Sequence, residues 1–185
     1  MFFNINKNII FEDLIITTLG PTGTSSEYVA KKILKYFKAK NKKIILKPSF
    51  EEAFENVKNN KAHMSLVANA YSKIDNFYMD KELKILATFI HNTPPYGLAT
   101  SKNVFNKQHL KIITHKAPLK ILKDKIKTNK FIINKKISVY FAPSTSIAAQ
   151  LVAENKFNLK LISDTYTIHM VWSLFGKQES LKFFI

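Results

Sequence analysis

Two short segments concentrate the residues that could hold an anion: Gly20-Pro21-Thr22-Gly23-Thr24-Ser25-Ser26 and Pro143-Ser144-Thr145-Ser146. Each follows an apolar run and leads into residues with helical spacing. A helix start presents free backbone N–H groups and the positive end of its dipole, and clustered hydroxyls add donors. Each segment therefore suits a carboxylate or a phosphate. Two such cradles facing one cleft would take a small ligand with two anionic groups; plain capping by serine and threonine is the alternative. The first segment lacks the G-x-x-x-x-G-K spacing of a phosphate loop and is not a dinucleotide fingerprint.

Other chemistry is thinner. The histidines are His63, His91, His109, His115 and His169, and none has metal-ligand spacing such as H-x-x-x-H, so no metal is expected. His91 and His115 fall at the ends of expected strands, where catalytic side chains often lie. Asp75, next to Tyr71, Asn76 and Tyr78, is a candidate loop acid. No G-x-S-x-G elbow occurs, which leaves a serine hydrolase without support. The chain has no cysteine, excluding disulfides, thiolate zinc sites and cysteine nucleophiles.

The elements that must position these groups alternate. Leu14 to Leu19 is a β-branched apolar run that stops at Gly20-Pro21 and reads as a buried strand. Tyr28, Val29, Ile33, Leu34 and Phe37 recur at helical spacing behind a cap at Ser25 or Ser26. Lys43 to Leu46 is a second short strand. Ser49-Phe50-Glu51-Glu52 is a capping box for a helix striped by Phe50, Ala53, Phe54 and Val57. Met64 to Val67 is a third strand, and this βαβαβ order implies a mostly parallel sheet. Beyond it, Leu83 to Ile90, Tyr96 to Thr100, Leu110 to Thr114 and Ile137 to Phe141 look extended. Pro118 opens a lysine-rich helix, and Ser144 opens another with Ile147, Ala148, Leu151 and Val152 as its buried face. Leu159 to Ile162 and Met170 to Phe175 would close the sheet. The pattern fits two α/β lobes, the second inserted into the first, with a cleft between them.

Composition sets the outer limits. The 185 residues carry 29 basic and 13 acidic side chains, a net charge of +16, yet every basic residue is lysine. Readers of nucleic acid lean on arginine for bidentate and stacking contacts, so no nucleic-acid partner is expected. Abundant lysine, isoleucine, asparagine and phenylalanine match adenine- and thymine-rich codons; a small anionic substrate accounts for the charge equally well, through steering. At 46% apolar residues the chain can bury a core. No run of about 18 apolar residues occurs, so no membrane span is expected, and the cytoplasm is the default location.

The motifs then resemble a known family. Leu19-Gly20-Pro21-Thr22-Gly23-Thr24-Ser25-Ser26-Glu27-Tyr28 resembles the opening G-P-x-G-T-x-S motif of prephenate dehydratases. Ser49-Phe50-Glu51-Glu52-Ala53-Phe54, His115 after its strand and Ser144-Thr145-Ser146 before its helix extend the likeness. The nearer resemblance is to the prephenate decarboxylases of bacilysin-type biosynthesis. It rests on Thr17, Leu19, Gly20 and Gly23 to Tyr28, on Phe77-Tyr78-Met79, on Thr93-Pro94 with Tyr96-Gly97-Leu98-Ala99, and on Trp172-Ser173-Leu174-Phe175. Where dehydratases carry Thr-Arg-Phe, this chain has Ser173-Leu174-Phe175, and leucine can neither bind a carboxylate nor polarise a leaving hydroxyl. The Glu-Asn pair that dehydratases place after the third strand is replaced around Ala70-Tyr71.

The resemblance implies a two-lobed α/β fold of the prephenate dehydratase-like, type II periplasmic-binding-protein-like kind, with mixed sheets, flanking helices and the active site in the cleft between the lobes. Residues 1–96 and 164–185 would form the first lobe and residues 97–163 the inserted second. It implies a carboxy-lyase that removes CO₂ from prephenate without aromatisation, needs no cofactor, and serves antibiotic-type secondary metabolism. A homodimer is left open. Candidates to bind the substrate are Thr22, Gly23, Thr24, Ser25, Ser26, Asn69, Tyr78, Thr93, Tyr96, Gly97, Leu98, Ser144, Thr145, Ser146, Trp172 and Ser173. Candidates for the proton donor are His115, Tyr71 and Asp75. A dehydratase and a catalytically inactive binder are the rival readings, the latter because the chain is shorter than the family pattern near residues 153–159.

Overall fold

The computed structural model describes residues 10–92, 96–100, 107–116, 118–154, 156–157, 159–166 and 169–179. Two compact units divide the chain: Met1–Thr93 with Ile168–Ile185, and Pro94–Thr167.

The first unit is built on a five-stranded mixed sheet. Its strands are β1 (Ile10–Leu19), β2 (Lys38–Lys47), β3 (Met64–Ala68), β4 (Leu83–Asn92) and β9 (His169–Lys177), in the order β2-β1-β3-β9-β4. β1 runs parallel to β2 and β3, while β9 is antiparallel to both β3 and β4. The βαβαβ order alone led to a mostly parallel sheet, whereas the family resemblance led to mixed sheets; the latter holds, because the last strand of the sheet returns antiparallel into its middle. β2 is an edge strand and begins at Lys38, before the expected apolar run, with Lys38, Lys40, Lys42 and Lys43 exposed.

Both faces of this sheet are covered, which is why β1 reads as a continuous apolar run. On one face, helix α1 (Ser25–Leu34) buries Val29, Ala30, Ile33 and Leu34 against Leu14, Ile16, Met64, Leu66, Trp172 and Leu174. On the other, helix α2 (Phe50–Lys58) buries Phe50, Phe54 and Val57 with Val67, Leu83 and Phe175. Phe77 of the short helix α3 (Ile74–Tyr78) stacks on Phe54 at 4.6 Å and completes that second core. Asp75, read as a loop acid, thus stands in the first turn of a helix. His63 is structural: its Nδ1 accepts from the Ile15 N–H at 3.0 Å, and its own N–H returns a bond to the Ile15 carbonyl.

The second unit has a four-stranded sheet, β5-β8-β6-β7, made of β5 (Tyr96–Thr100), β6 (His109–Thr114), β7 (Lys136–Phe141) and β8 (Leu159–Tyr166). Helix α4 (Leu119–Thr128) packs Leu122 against Leu110 and Ile112, and helix α5 (Thr145–Ala153) packs Ala148 and Val152 against Ile113. The two late strands expected to close one sheet therefore close two, β8 here and β9 in the first unit.

Gly176 shows how tightly β9 is fitted. A Cβ there would meet Leu86 Cδ1 at 2.5 Å and the His63 carbonyl at 3.2 Å. Overfilling a closed core costs about 1–3 kcal/mol. Gly176→Ala is expected to lower the unfolding free energy by that amount, read as a lower urea midpoint at unchanged slope, and an unaltered midpoint would show that β9 is loosely held.

Candidate functional site

The carboxyl ends of β1 and β3 lie side by side, the edge at which open α/β sheets bind ligands. β1 ends at Leu19, and the chain turns through a cis Gly20–Pro21 bond and through Gly23 at φ 87° before Thr24, rather than Ser25 or Ser26, caps α1, because its hydroxyl is the one that reaches the Glu27 N–H. That positive φ explains a glycine at position 23. Thr22 and Gly23 are exposed, Ser25 is half-buried, and Thr24 and Ser26 are buried.

The Thr24 hydroxyl is fully used inside the protein. It donates to the Leu19 carbonyl at 3.0 Å and accepts from the Glu27 N–H at 3.2 Å. Glu27 reaches back, its Oε2 accepting from the Gly23 N–H at 2.7 Å while Oε1 pairs with Lys31 at 2.7 Å. Burial alone would raise the Glu27 carboxyl; the Lys31 and Gly23 hydrogen bonds and the Lys31 charge outweigh it and hold it below its ordinary range. A carboxylate of the protein thus already occupies part of the loop. Glu27 was not among the candidates, although Thr24-x-x-Glu27 is a legible capping box.

Three candidates that are distant in sequence do meet. Asn69, directly after β3, donates from Nδ2 to the Tyr78 hydroxyl at 2.7 Å. Tyr78 shares a hydrogen bond of 3.3 Å with Ser173, and Ser173 shares one of 3.1 Å with Thr88. Ser173 is fully buried on β9 between its register partners Val67 and Thr88. Tyr78 is 38% exposed. Thr88 went unnoticed in the sequence because only cross-strand register brings it to Ser173.

Other candidates do not join this group. The Tyr71 hydroxyl donates to Glu51 Oε1 at 2.7 Å, and burial, with that bond and the Glu51 charge, pushes its pKa up to about 12. Its ring packs on Phe50 and Phe77, so it ties the loop after β3 to the start of α2. Asp75 is exposed. Trp172 is enclosed by the core on the α1 face, and its Nε1 has no partner among the described residues. Buried Thr17 and Ser65, register partners on β1 and β3, also carry unpartnered hydroxyls.

In the second unit, Ser144 caps α5, its Oγ accepting from the Ile147 N–H at 3.1 Å, with Thr145 and Ser146 half-buried in the first turn. His115 follows β6 half-buried, and burial, then the Lys116 charge, lowers its pKa. Leu98 packs against the Leu110 core from β5, where Tyr96 and Gly97 also lie; Thr93 falls outside the described residues. Among the described residues no group of three His, Asp or Glu side chains is placed to hold a metal. A cavity of about 370 Å³ lined by Phe77, Tyr78, Asp80, Leu83, Lys84, Ile85 and Gln178 opens where β4 begins, at the opposite edge of the sheet from Gly20–Thr24.

Comparison with known proteins decides the family. The chain is 32% identical over 186 residues to a prephenate decarboxylase of Bacillus amyloliquefaciens, covering 90% of this chain and 88% of that one. It is 32% identical over 184 residues to another from Planktothrix agardhii, covering 91% and 90%. The chain belongs to the prephenate decarboxylase family. No family model matches it. Among solved structures, a prephenate dehydratase from Arthrobacter aurescens superposes with a TM-score of 0.68 at 14% identity, over 89% of this chain and 60% of that one. A periplasmic substrate-binding protein from Coxiella burnetii gives 0.54 at 13% identity, over 91% and 86%. The fold is thus that of the dehydratases and of periplasmic binding proteins, as the motifs led us to expect.

The depressed Glu27 carboxyl has a testable sign. Its stabilisation is present above the ordinary carboxylate value of 4.5 and is lost as pH falls through the lower folded value. Glu27→Gln should therefore melt below wild type at pH 7, with the gap closing as pH falls below the ordinary carboxylate range. A gap independent of pH would show that the charge on Glu27 contributes nothing.

Proposed function

We propose that this chain decarboxylates prephenate and leaves the ring hydroxyl in place. The near-full-length match to proteins named prephenate decarboxylase carries the reading. Position 174 supplies a physical reason. Leu174 is fully buried in the first core, so this strand presents no cationic donor where the dehydratase pattern has arginine, and the chain contains no arginine at all. Expelling hydroxide requires a donor at the departing oxygen; losing CO₂ does not.

The bond that breaks joins the ring carbon to its carboxylate. CO₂ leaves, the electron pair spreads into the diene, and one proton is taken up at a remote ring carbon. The product is a dihydro-4-hydroxyphenylpyruvate, and no oxidant or reductant is consumed. The protein's part is to anchor the pyruvyl carboxylate, hold the ring, and direct the proton. We assign anchoring to the helix starts at Thr22–Ser26 and Ser144–Ser146. Because Thr24 and Ser144 are spent as caps, the anchoring donors would be backbone N–H groups and the hydroxyls of Ser25, Thr145 and Ser146. Tyr71 is a poor proton donor, since its hydrogen is held by Glu51. His115 and Asp75 remain for that role. The non-aromatic keto acid formed is the kind of compound that bacilysin-type pathways reduce further.

Ultraviolet spectra of a prephenate reaction, with trapping of CO₂, test the reading. A non-aromatic keto acid formed with one equivalent of CO₂ is expected; phenylpyruvate as the main product would identify a dehydratase. Tightened melting without turnover would identify an inactive binder. Because the chain carries a net charge of +16, raising ionic strength should lower kcat/KM for the dianion more than kcat. A kcat/KM unmoved by salt would remove steering from the account.

A further inference from the structure

The hydrogen-bonded row at the carboxyl end of β3 has a direction. Asn69 Nδ2 can only donate, so it gives its hydrogen to the Tyr78 oxygen. The Tyr78 hydrogen is then available to Ser173, and the Ser173 hydrogen to Thr88. The row ends at exposed Thr88, where water can take the last hydrogen. Fixing Nδ2 on Tyr78 fixes the other end of the same amide. Asn69 Oδ1 faces away from solvent, yet has no hydrogen-bond partner among the described residues. A shielded amide carbonyl without a donor is unfavourable, so this oxygen is suited to accept from a ligand. Asn69 itself is only half-buried, so admitting a ligand needs local movement around one surface residue and leaves the core intact.

The substrate class assigned above offers one such donor. Both carboxylates and the ketone of prephenate only accept; the single O–H is the ring hydroxyl. We propose that Asn69 Oδ1 accepts the ring hydroxyl of the substrate, with Tyr78, Ser173 and Thr88 holding the amide in that orientation. This deepens the decarboxylase reading and rests on it. It also explains retention of the hydroxyl. A dehydratase must feed a proton or a strong donor to that oxygen. A hydroxyl that donates to an amide carbonyl gains electron density on its oxygen and becomes a poorer leaving group. Asn69 would thus be a specificity residue, and Tyr78 its positioning residue.

The test compares prephenate with its 4-deoxy analogue, which keeps both carboxylates and the diene but lacks the donor. Wild-type protein is expected to show kcat/KM at least tenfold lower for the analogue, because the carbonyl is left unsatisfied. Asn69→Leu should lose activity towards prephenate and handle both compounds alike. Asn69→Asp, which keeps an acceptor, should restore the preference. Tyr78→Phe, which frees the amide to turn, should reduce the preference with its melting temperature little changed. It therefore reports even if Asn69→Leu does not fold. Wild-type turnover of both compounds within twofold would overturn the assignment of Asn69 while leaving the decarboxylase reading standing. Preference surviving in Asn69→Leu would do the same. Failure of wild type to release CO₂ from either compound would overturn both.

Discussion

The first unit depends on the way β9 enters its sheet. β3 and β4 are joined in the sheet through β9, which bonds to both. Its alternating side chains serve both cores at once: Trp172 and Leu174 on the α1 face, Ser173 and Phe175 on the α2 face. Without it, β4 would lose its place, Leu86 and Phe89 would lose their cover, and Ser173 would have no Thr88. The polar row at the candidate site is therefore joined through the strand that closes the sheet. β9 supplies Ser173, which links Tyr78 of α3 to Thr88 of β4, so the site forms only when the whole first unit has folded.

Much of this was legible in the sequence, and for identifiable reasons. Period-two and period-3.6 patterns with serine and threonine caps located α1, α2 and α5, because capping and burial act within a few residues. α3 escaped, since it has one turn and a bit, no side-chain cap, and a single buried residue in Phe77. The antiparallel return of β9 escaped as well; strand order is a long-range property that local periodicity does not encode. At the site, the motif around Gly20–Ser26 was visible, but its reading as an anion cradle ignored that the Thr24 hydroxyl is spent on Leu19 and the Glu27 N–H, and that the Glu27 carboxylate takes the Gly23 N–H. Tyr71 read as a candidate acid because aromatic hydroxyls carry no mark of their partners. Only the fold reveals that this hydroxyl is committed as a donor to Glu51.

The difference from the dehydratases is a difference in what the central strands offer to an oxygen. Arginine in that neighbourhood can pull on a leaving group with a planar fork of charged donors. Here the corresponding side chain is a leucine sealed in the core on the α1 face, and the polar row on the α2 face is made of neutral hydroxyls and one carboxamide. A neutral surround neither stabilises departing hydroxide nor penalises the departure of uncharged CO₂.

The lysine-laden edge at β2 has a consequence for how copies of this chain meet. An outer strand leaves one row of N–H and C=O groups unpaired, and such rows recruit the strands of other molecules. β2 carries Lys38, Lys40, Lys42, Lys43 and Lys47 within ten residues, with only Lys40 paired, to Glu12 at 2.8 Å, among the ion pairs of the described residues. Two such edges approaching each other would bring five ammonium groups against five. Whatever mutational bias enriched the chain in lysine, at this strand it works as a guard against fibrous self-association.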